Sequence, residues 1–245
     1  MFVRRHSFSR RLAPVFSSLL VSLVGFVHEV GAQTTQKPTL AIMEFDVSAM
    51  MRQADYAPLG SGIQVMLTNA VAANPSLLLL ERQKIEAVLK EQNLVTSGRV
   101  DAETAVKVGR LLGAQHVLLG QLVVQSDKEM RLLVRSVNVE TSVIEWTDDV
   151  RAKGDKVFDM IDALAVRVNS GLRLPGIRNA KAVKEVGLTG PNQLEAARAF
   201  AAAQRLQERG DTKGAIAMYQ KAVALNGEFG LARTQLALLD RVAPM

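Results

Sequence analysis

Few side chains in this sequence are typed and spaced for chemistry, and each meets an obstacle. Glu44 and Asp46 lie two apart in a predicted strand, so their carboxylates share a face. That is the geometry of an acid pair for proton transfer, but it also marks a strand leaving the core with one carboxylate bonding a nearby helix start. His116 opens a later strand with no second histidine or cysteine beside it, so a structural role is expected and no metal is assigned. Gly60-Ser61-Gly62 precedes a helix as a phosphate cradle would, yet it lacks the Gly-Lys-Ser/Thr ending and the full GxGxxG pattern. The triplet is predicted to be a tight turn. Ser61 and Ser97 would each need His116 as base, since no other histidine lies beyond residue 32. Glu81-Arg82 follows a predicted strand and is placed to cap a helix and bridge to another element or another subunit. No nucleophile, metal cluster or cofactor loop emerges, and the sequence points to a non-enzymatic protein without a cofactor.

These residues hang on a legible frame. Thr39 to Asp46 is a run of apolar residues ending in acids, predicted as one buried strand. Ala57 to Ala73 puts Leu59, Ile63, Met66, Leu67 and Ala70 on one helical face, and Asn74-Pro75 ends it. Leu77 to Leu80 reads as a second buried strand. Arg82 to Glu91 is a helix with Ile85, Val88 and Leu89 inward; Ser97-Gly98 then breaks the chain. Asp101 is expected to cap the next helix, whose stripe is Ala105, Val108, Leu111 and Leu112 and whose end is Gly113. Strands come next at His116–Gln125, Met130–Glu140 and Val143–Arg151, with turns at Ser126-Asp127-Lys128-Glu129 and Thr141-Ser142. Asp155 is expected to cap a last helix carrying Phe158, Ile161, Leu164, Ala165 and Val168 inward. The order β-α-β-α-α-β-β-β-α predicts an α/β (α+β) sheet with helices packed on it.

From Leu174 to Pro191, Gly, Pro and Lys leave no coherent apolar face, and residues 174–191 read as a linker. Residues 192–245 are Ala-rich and helical. Within them AARAFAAAQRLQERGDTKGAIAMYQKAVALN resembles one tetratricopeptide repeat, with Gly210 at the turn and Ala215, Tyr219 and Ala222 as small, aromatic and small residues. Small residues let two helices approach, and the aromatic fills the gap between them. Leu231 to Leu239 reads as a capping helix, making a small all-α helical hairpin. Ala199 stands where an aromatic is usual, and Gly227 where proline often ends the repeat.

The 245 residues carry 48% apolar and 22% charged side chains and a net charge of +6. At the start Arg4, Arg5, Arg10 and Arg11 precede a largely apolar run, and Val30-Gly31-Ala32 offers a small-residue cleavage site. Residues 1–32 are thus expected to be a secretory signal peptide. The alternative, a membrane anchor, would need about 20 apolar residues, and this run holds Pro14 and three serines. Ser9-Arg10-Arg11 resembles the start of a twin-arginine signal, but the residues after Arg11 fit general secretion better. The remainder is then about +3, too mild to point to nucleic acid. No cysteine is present, so neither a disulfide nor a lipidated cysteine is available.

One run gathers most of the specific signal: ERQKIEAVLKEQNLVTSGRVDAETAVKVGRLLGAQHVLLG, residues 81–120. With Ile42-Met43-Glu44-Phe45-Asp46, Tyr56-Ala57-Pro58-Leu59-Gly60 and Val137-Asn138-Val139-Glu140-Thr141, it resembles the curli production assembly/transport component (CsgG) family from Thr39 to Leu172. The resemblance implies a CsgG-like periplasmic α/β domain over residues 33–173. It also implies a role in assembly or export at the bacterial envelope. The family's best-known member oligomerises into an outer-membrane secretion pore whose barrel is built by two long hairpin excursions. Here Gln125 and Met130 are joined by four residues, against the ~9–11 of each spanning strand, and Lys153-Gly154-Asp155 leads directly to a helix. Three readings result. The first is an exported periplasmic adaptor binding envelope proteins at an outer-membrane or secretion partner, with homo-oligomerisation open and no integral membrane segment after cleavage. The second is an outer-membrane secretion channel subunit. The third is an activator of a cell-wall synthase (penicillin-binding protein), as similar domains are. The candidate interaction or structural residues are Glu81, Arg82, Ser97, Gly98 and Tyr219.

Overall fold

The computed structural model describes residues 37–92, 101–174 and 190–242. The expected signal peptide, Ser97, Gly98 and most of the expected linker lie outside the described residues. A six-stranded sheet carries the fold. Its strands are β1 (Thr39–Ile42), β2 (Asp46–Ala49), β3 (Leu78–Leu79), β4 (His116–Ser126), β5 (Glu129–Asn138) and β6 (Ile144–Ala152). The order is β3-β1-β4-β5-β6, with β2 continuing beyond β1 along the same side of β4.

The expected single strand Thr39–Asp46 is in fact two. Ile42 lies opposite Leu118 but Asp46 opposite Gln121, so three intervening residues on one side face two on the other. This is a bulge, in a continuous apolar run that gave no sign of it. The Phe45 ring lies over Gly120, where any Cβ would run into it. Gln64 Nε2 donates to the Ile42 carbonyl at 2.7 Å and steadies the kink from the helix above. The predicted strand Leu77–Leu80 shrinks to the edge pair Leu78–Leu79, and Leu78 is 49% exposed, not buried.

Helices cover both faces. On one lie α1 (Gln53–Tyr56), α2 (Leu59–Val71) and α5 (Val157–Gly171), followed by α6 (Gln193–Glu208), α7 (Thr212–Leu225) and α8 (Gly230–Val242). On the other lie α3 (Arg82–Glu91) and α4 (Ala102–Leu112) over Ala41, Met43, Val117, Leu119, Val137 and Val139. The alternation of β4 and β5 makes this possible: Leu118, Leu122, Leu132 and Val134 face α2 and α5, and the residues between them face the other way.

Caps and stripes agree with the sequence in part. Thr104 N–H donates to Asp101 Oδ1 at 2.8 Å, and Gly113 ends α4 at φ 68°. Leu111 is half exposed, and Val106 and Gly109 are buried in its stead, because α4 rolls its small side onto the sheet. Asp155 does not cap α5. A 3-10 turn (Gly154–Lys156) precedes the helix, and the Phe158 N–H is answered by Gln193 Oε1 of α6 at 3.0 Å. Gly60-Ser61-Gly62 is not a turn but the first turn of α2, whose Gly62 faces α6: a Cβ there would lie 2.7 Å from that of Ala201.

The helices after residue 190 share the core of the sheet. Phe158 of α5 meets Phe229 at 4.8 Å between ring centres; Phe229 meets Phe200 of α6 at 5.0 Å, and Phe200 meets Tyr219 of α7 at 5.6 Å. The apolar chain is continuous from one part to the other.

Candidate functional site

The polar residues singled out in the sequence converge where α3 meets α6. Arg82, the first residue of α3, is 15% exposed at its side chain and turns under the helix. Its Nε pairs with Glu86 Oε1 at 2.5 Å, Nη1 donates to Gln204 Oε1 at 3.2 Å, and Glu208 takes another ion-pair contact. Gln204 Nε2 in turn donates to the Tyr219 hydroxyl, which donates to Gln207 Oε1 at 3.0 Å. Burial pushes the Tyr219 phenol well above its ordinary pKa, despite the nearby Arg82 guanidinium. One chain of polar groups therefore joins α3, α6 and α7. Among the described residues, the contacts of Arg82 run to Glu86 of its own helix and to Gln204 and Glu208 of α6.

Glu81 is exposed and extended (ψ 133°) at the N-cap position, and its side chain makes no cap bond; only its carbonyl accepts, from Lys84 and Ile85. Tyr219 is fully buried, so it fills the hairpin and does not offer a surface. Glu81, Arg82, Gln204 and Glu208 line a groove of about 570 Å³ above this network.

Glu44 belongs to the same region. It sits in the bulge between β1 and β2, and its partner is not a helix start but the guanidinium of Arg205 on α6. Burial raises its carboxyl above the usual carboxylate range, while Arg205 and Arg82 pull it back down. A proton shuttle would need a free, paired acid; here the carboxylate is bound to an arginine.

A second joint was not legible in the sequence. The β4–β5 connection is the two residues Asp127-Lys128, and Asp127 is held from three directions. Arg52 Nη2 donates to both its carboxylate oxygens at 2.9 and 2.8 Å, Tyr56 OH donates to Oδ1, and Arg198 of α6 approaches to 3.6 Å. Arg198 also stacks over the Tyr56 ring at 4.1 Å from its centre. The signal available was the density of charge in the Ser126–Glu129 turn. Its partners lie 75 and 71 residues away and could not be paired from spacing.

The remaining candidates have structural partners. His116 Nδ1 lies 2.5 Å from Glu145 Oε1, which also accepts from Ser136 Oγ at 2.7 Å, pinning β4, β5 and β6 together. Ser61 Oγ donates to the Pro58 carbonyl at 3.1 Å. Among the described residues no group of three or more His, Asp or Glu is arranged to hold a metal ion, and no helix is long and apolar enough to cross a membrane.

Fold and site together define a mixed α/β protein whose best-connected polar side chains join one element to another. Residues 27–132 match the family model of the curli production assembly/transport component CsgG. The match ends inside β5, short of the Leu172 at which the resemblance in sequence ends. Among solved structures, the LpoB C-terminal domain from Salmonella enterica is 19% identical, covering 50% of this chain and 87% of that one, with a TM-score of 0.41. Lipoprotein GNA1162 from Neisseria meningitidis is 11% identical over 54% of this chain and 96% of that one, with a TM-score of 0.40. The PelC dodecamer from Paraburkholderia phytofirmans gives 14%, 57%, 91% and 0.32 in the same order. No curated protein matches the chain. These structural likenesses are loose, and no role is drawn from them.

Proposed function

We propose that this protein is a non-enzymatic adaptor of the bacterial envelope, exported to the periplasm, which binds other proteins in the export or assembly of a surface structure. The family segment supports the envelope setting. The observation that carries the adaptor reading over a pore is the β4–β5 turn. Where a barrel-forming relative would run a long hairpin, this chain has two residues, with Asp127 held by Arg52, Tyr56 and Arg198. After β6 a 3-10 turn leads at once into α5. Neither connection has the ~9–11 residues per strand that spanning requires.

In this reading residues 33–173 are the α/β domain, and the helices from 192 onward are one tetratricopeptide-type unit serving as a fixed extension. The face of α6 that such a unit would turn to a peptide packs on α2 and α5, so partners are met through α7, α8 or the sheet side. Cell fractionation with carbonate extraction of the membranes tests the proposal. Release into the periplasmic fraction at the mass of residues 33–245 is expected. Retention in carbonate-resistant outer membrane would put the channel subunit first. Recovery of a penicillin-binding protein as the specific partner, in place of an export component, would favour the synthase activator.

A further inference from the structure

A sheet of this size leaves two sides where another strand can add, and an unguarded edge is a template for association. Besides the two-residue β3, the outer strands are β2 and β6, and both are answered by side chains. Along β2, the Ala49 N–H donates to Gln53 Oε1 at 2.7 Å, and Gln53 Nε2 donates to the Val47 carbonyl at 2.8 Å. Asp46–Ala49 pairs with β4, and Met50 N–H donates to Val124 O at 3.1 Å, so the alternate groups at 47 and 49 point away from the sheet. One amide side chain stands where the peptide of a next strand would stand.

Along β6 a different pair does the same. The Asp149 N–H donates to Asp148 Oδ1 at 2.7 Å. Arg167 Nη1 of α5 donates to the Asp149 carbonyl at 2.9 Å and to Asp148 Oδ1 at 2.7 Å. Both backbone groups of Asp149 are thus closed in a ring with Asp148 and Arg167. The Asp149 carboxylate itself is used elsewhere, bonded by Arg131 at 2.9 Å. No residue of β6 is fully buried, and among the described residues no strand pairs with its outer side. The nine-residue strand would otherwise be open along its length.

We propose that Gln53 and the Asp148–Arg167 pair are edge guards: they block strand addition along β2 and β6, and a second copy adds to β6 only when its guard is removed. Period-two alternation gives Asp149, Thr147 and Arg151 the same outward backbone parity, which places a guarded peptide between two unguarded ones.

Hydrogen exchange on the full chain tests this directly. The Asp149 and Ala49 amides are expected to exchange at least about tenfold more slowly than those of Thr147 and Arg151, since only the former have acceptors. Equal rates at Asp149 and Thr147 would overturn the proposal. The second measurement is native mass by light scattering. The double variant D148A/R167A should shift to higher mass with rising concentration, and adding T147P, which removes an outward N–H, should restore the wild-type mass. A folded double variant that keeps the wild-type mass, or a mass gain that T147P leaves intact, would refute the guard at β6. If the double variant does not fold, the exchange rates of the wild-type chain still decide.

Discussion

Gly62→Ala is a test of whether α6 rests on α2. In an exposed helix this change stabilises by about 0.5–1 kcal/mol, because glycine loses more backbone freedom on folding. In this molecule the new methyl carbon would lie 2.7 Å from the Ala201 Cβ and 3.3 Å from its Cα. Carbon atoms prefer about 3.5–4.0 Å, so the two helices must part by roughly 1 Å. Ala201 is fully buried in the shared core, and overpacking of that kind costs about 1–3 kcal/mol. The net expectation is a loss of about 0.5–2 kcal/mol, or about 1–8 °C in melting temperature for a chain of this size. Ala201→Gly alone should also destabilise, by about 1–2 kcal/mol, from helix propensity and one lost methyl. On the Gly62→Ala background it should cost much less, giving a coupling of about 1–2 kcal/mol in a urea-denaturation cycle. Stabilisation by Gly62→Ala, with a cycle additive to within about 0.5 kcal/mol, would show that the helices do not meet there.

Glu44→Gln should change the pH dependence of stability. The native carboxyl is raised above its ordinary 4.5, so its contribution is full below that value and falls as pH rises through the native pKa. Wild type should therefore gain on the variant as pH drops from 7 to 4, with a difference under about 1 kcal/mol at neutral pH for a pair still about a third exposed to solvent, read as urea midpoints. Tyr219→Phe removes the acceptor of Gln204 and the donor to Gln207, and should cost about 1–3 kcal/mol by thermal melting. Because its phenol is raised, native stability should also fall as pH climbs above 10, and absorbance should show it ionising later than in the unfolded chain. Asp127→Ala leaves the hydroxyl of buried Tyr56 without its acceptor and should lower stability by about 1–3 kcal/mol, with Asp127→Asn recovering part of the loss.

The features legible in the sequence and those hidden from it divide along a physical line. Features set by neighbours in the chain were legible. Helix α3 has the expected bounds Arg82–Glu91, Asp101 caps α4 as its position suggested, and β4–β6 follow their alternation to within two residues. Features set by distant partners were not. Asp155 has the type and place of a cap, but Gln193, 35 residues on, reaches the free amide of Phe158. The bulge after Ile42 depends on the Phe45 ring meeting Gly120, which no periodicity in residues 39–46 encodes. Among the candidate interaction residues, Arg82 contacts Gln204 and Glu208, which lie more than 120 residues away in the chain. Tyr219 could serve from the sequence as gap-filler or as contact residue; full burial leaves the first.

The three polar joints all end on α6, and this bears on how the helical part works. Gln193 caps α5, Arg198 reaches the β4–β5 turn, and Gln204, Arg205 and Glu208 meet Glu44 and Arg82. They are spread over four turns of one helix, while the aromatic chain from Phe158 to Tyr219 fills the space between. A helix free to swing on a linker would gain nothing from such spacing, since each joint fixes the same rotation and only a rigid seat satisfies all three. The charges best placed to recognise a partner on α6 are already spent on this seat. The half of the sheet beyond α4 is left open, where Gln121, Arg131, Leu133, Arg135 and Thr147 border a groove of about 880 Å³.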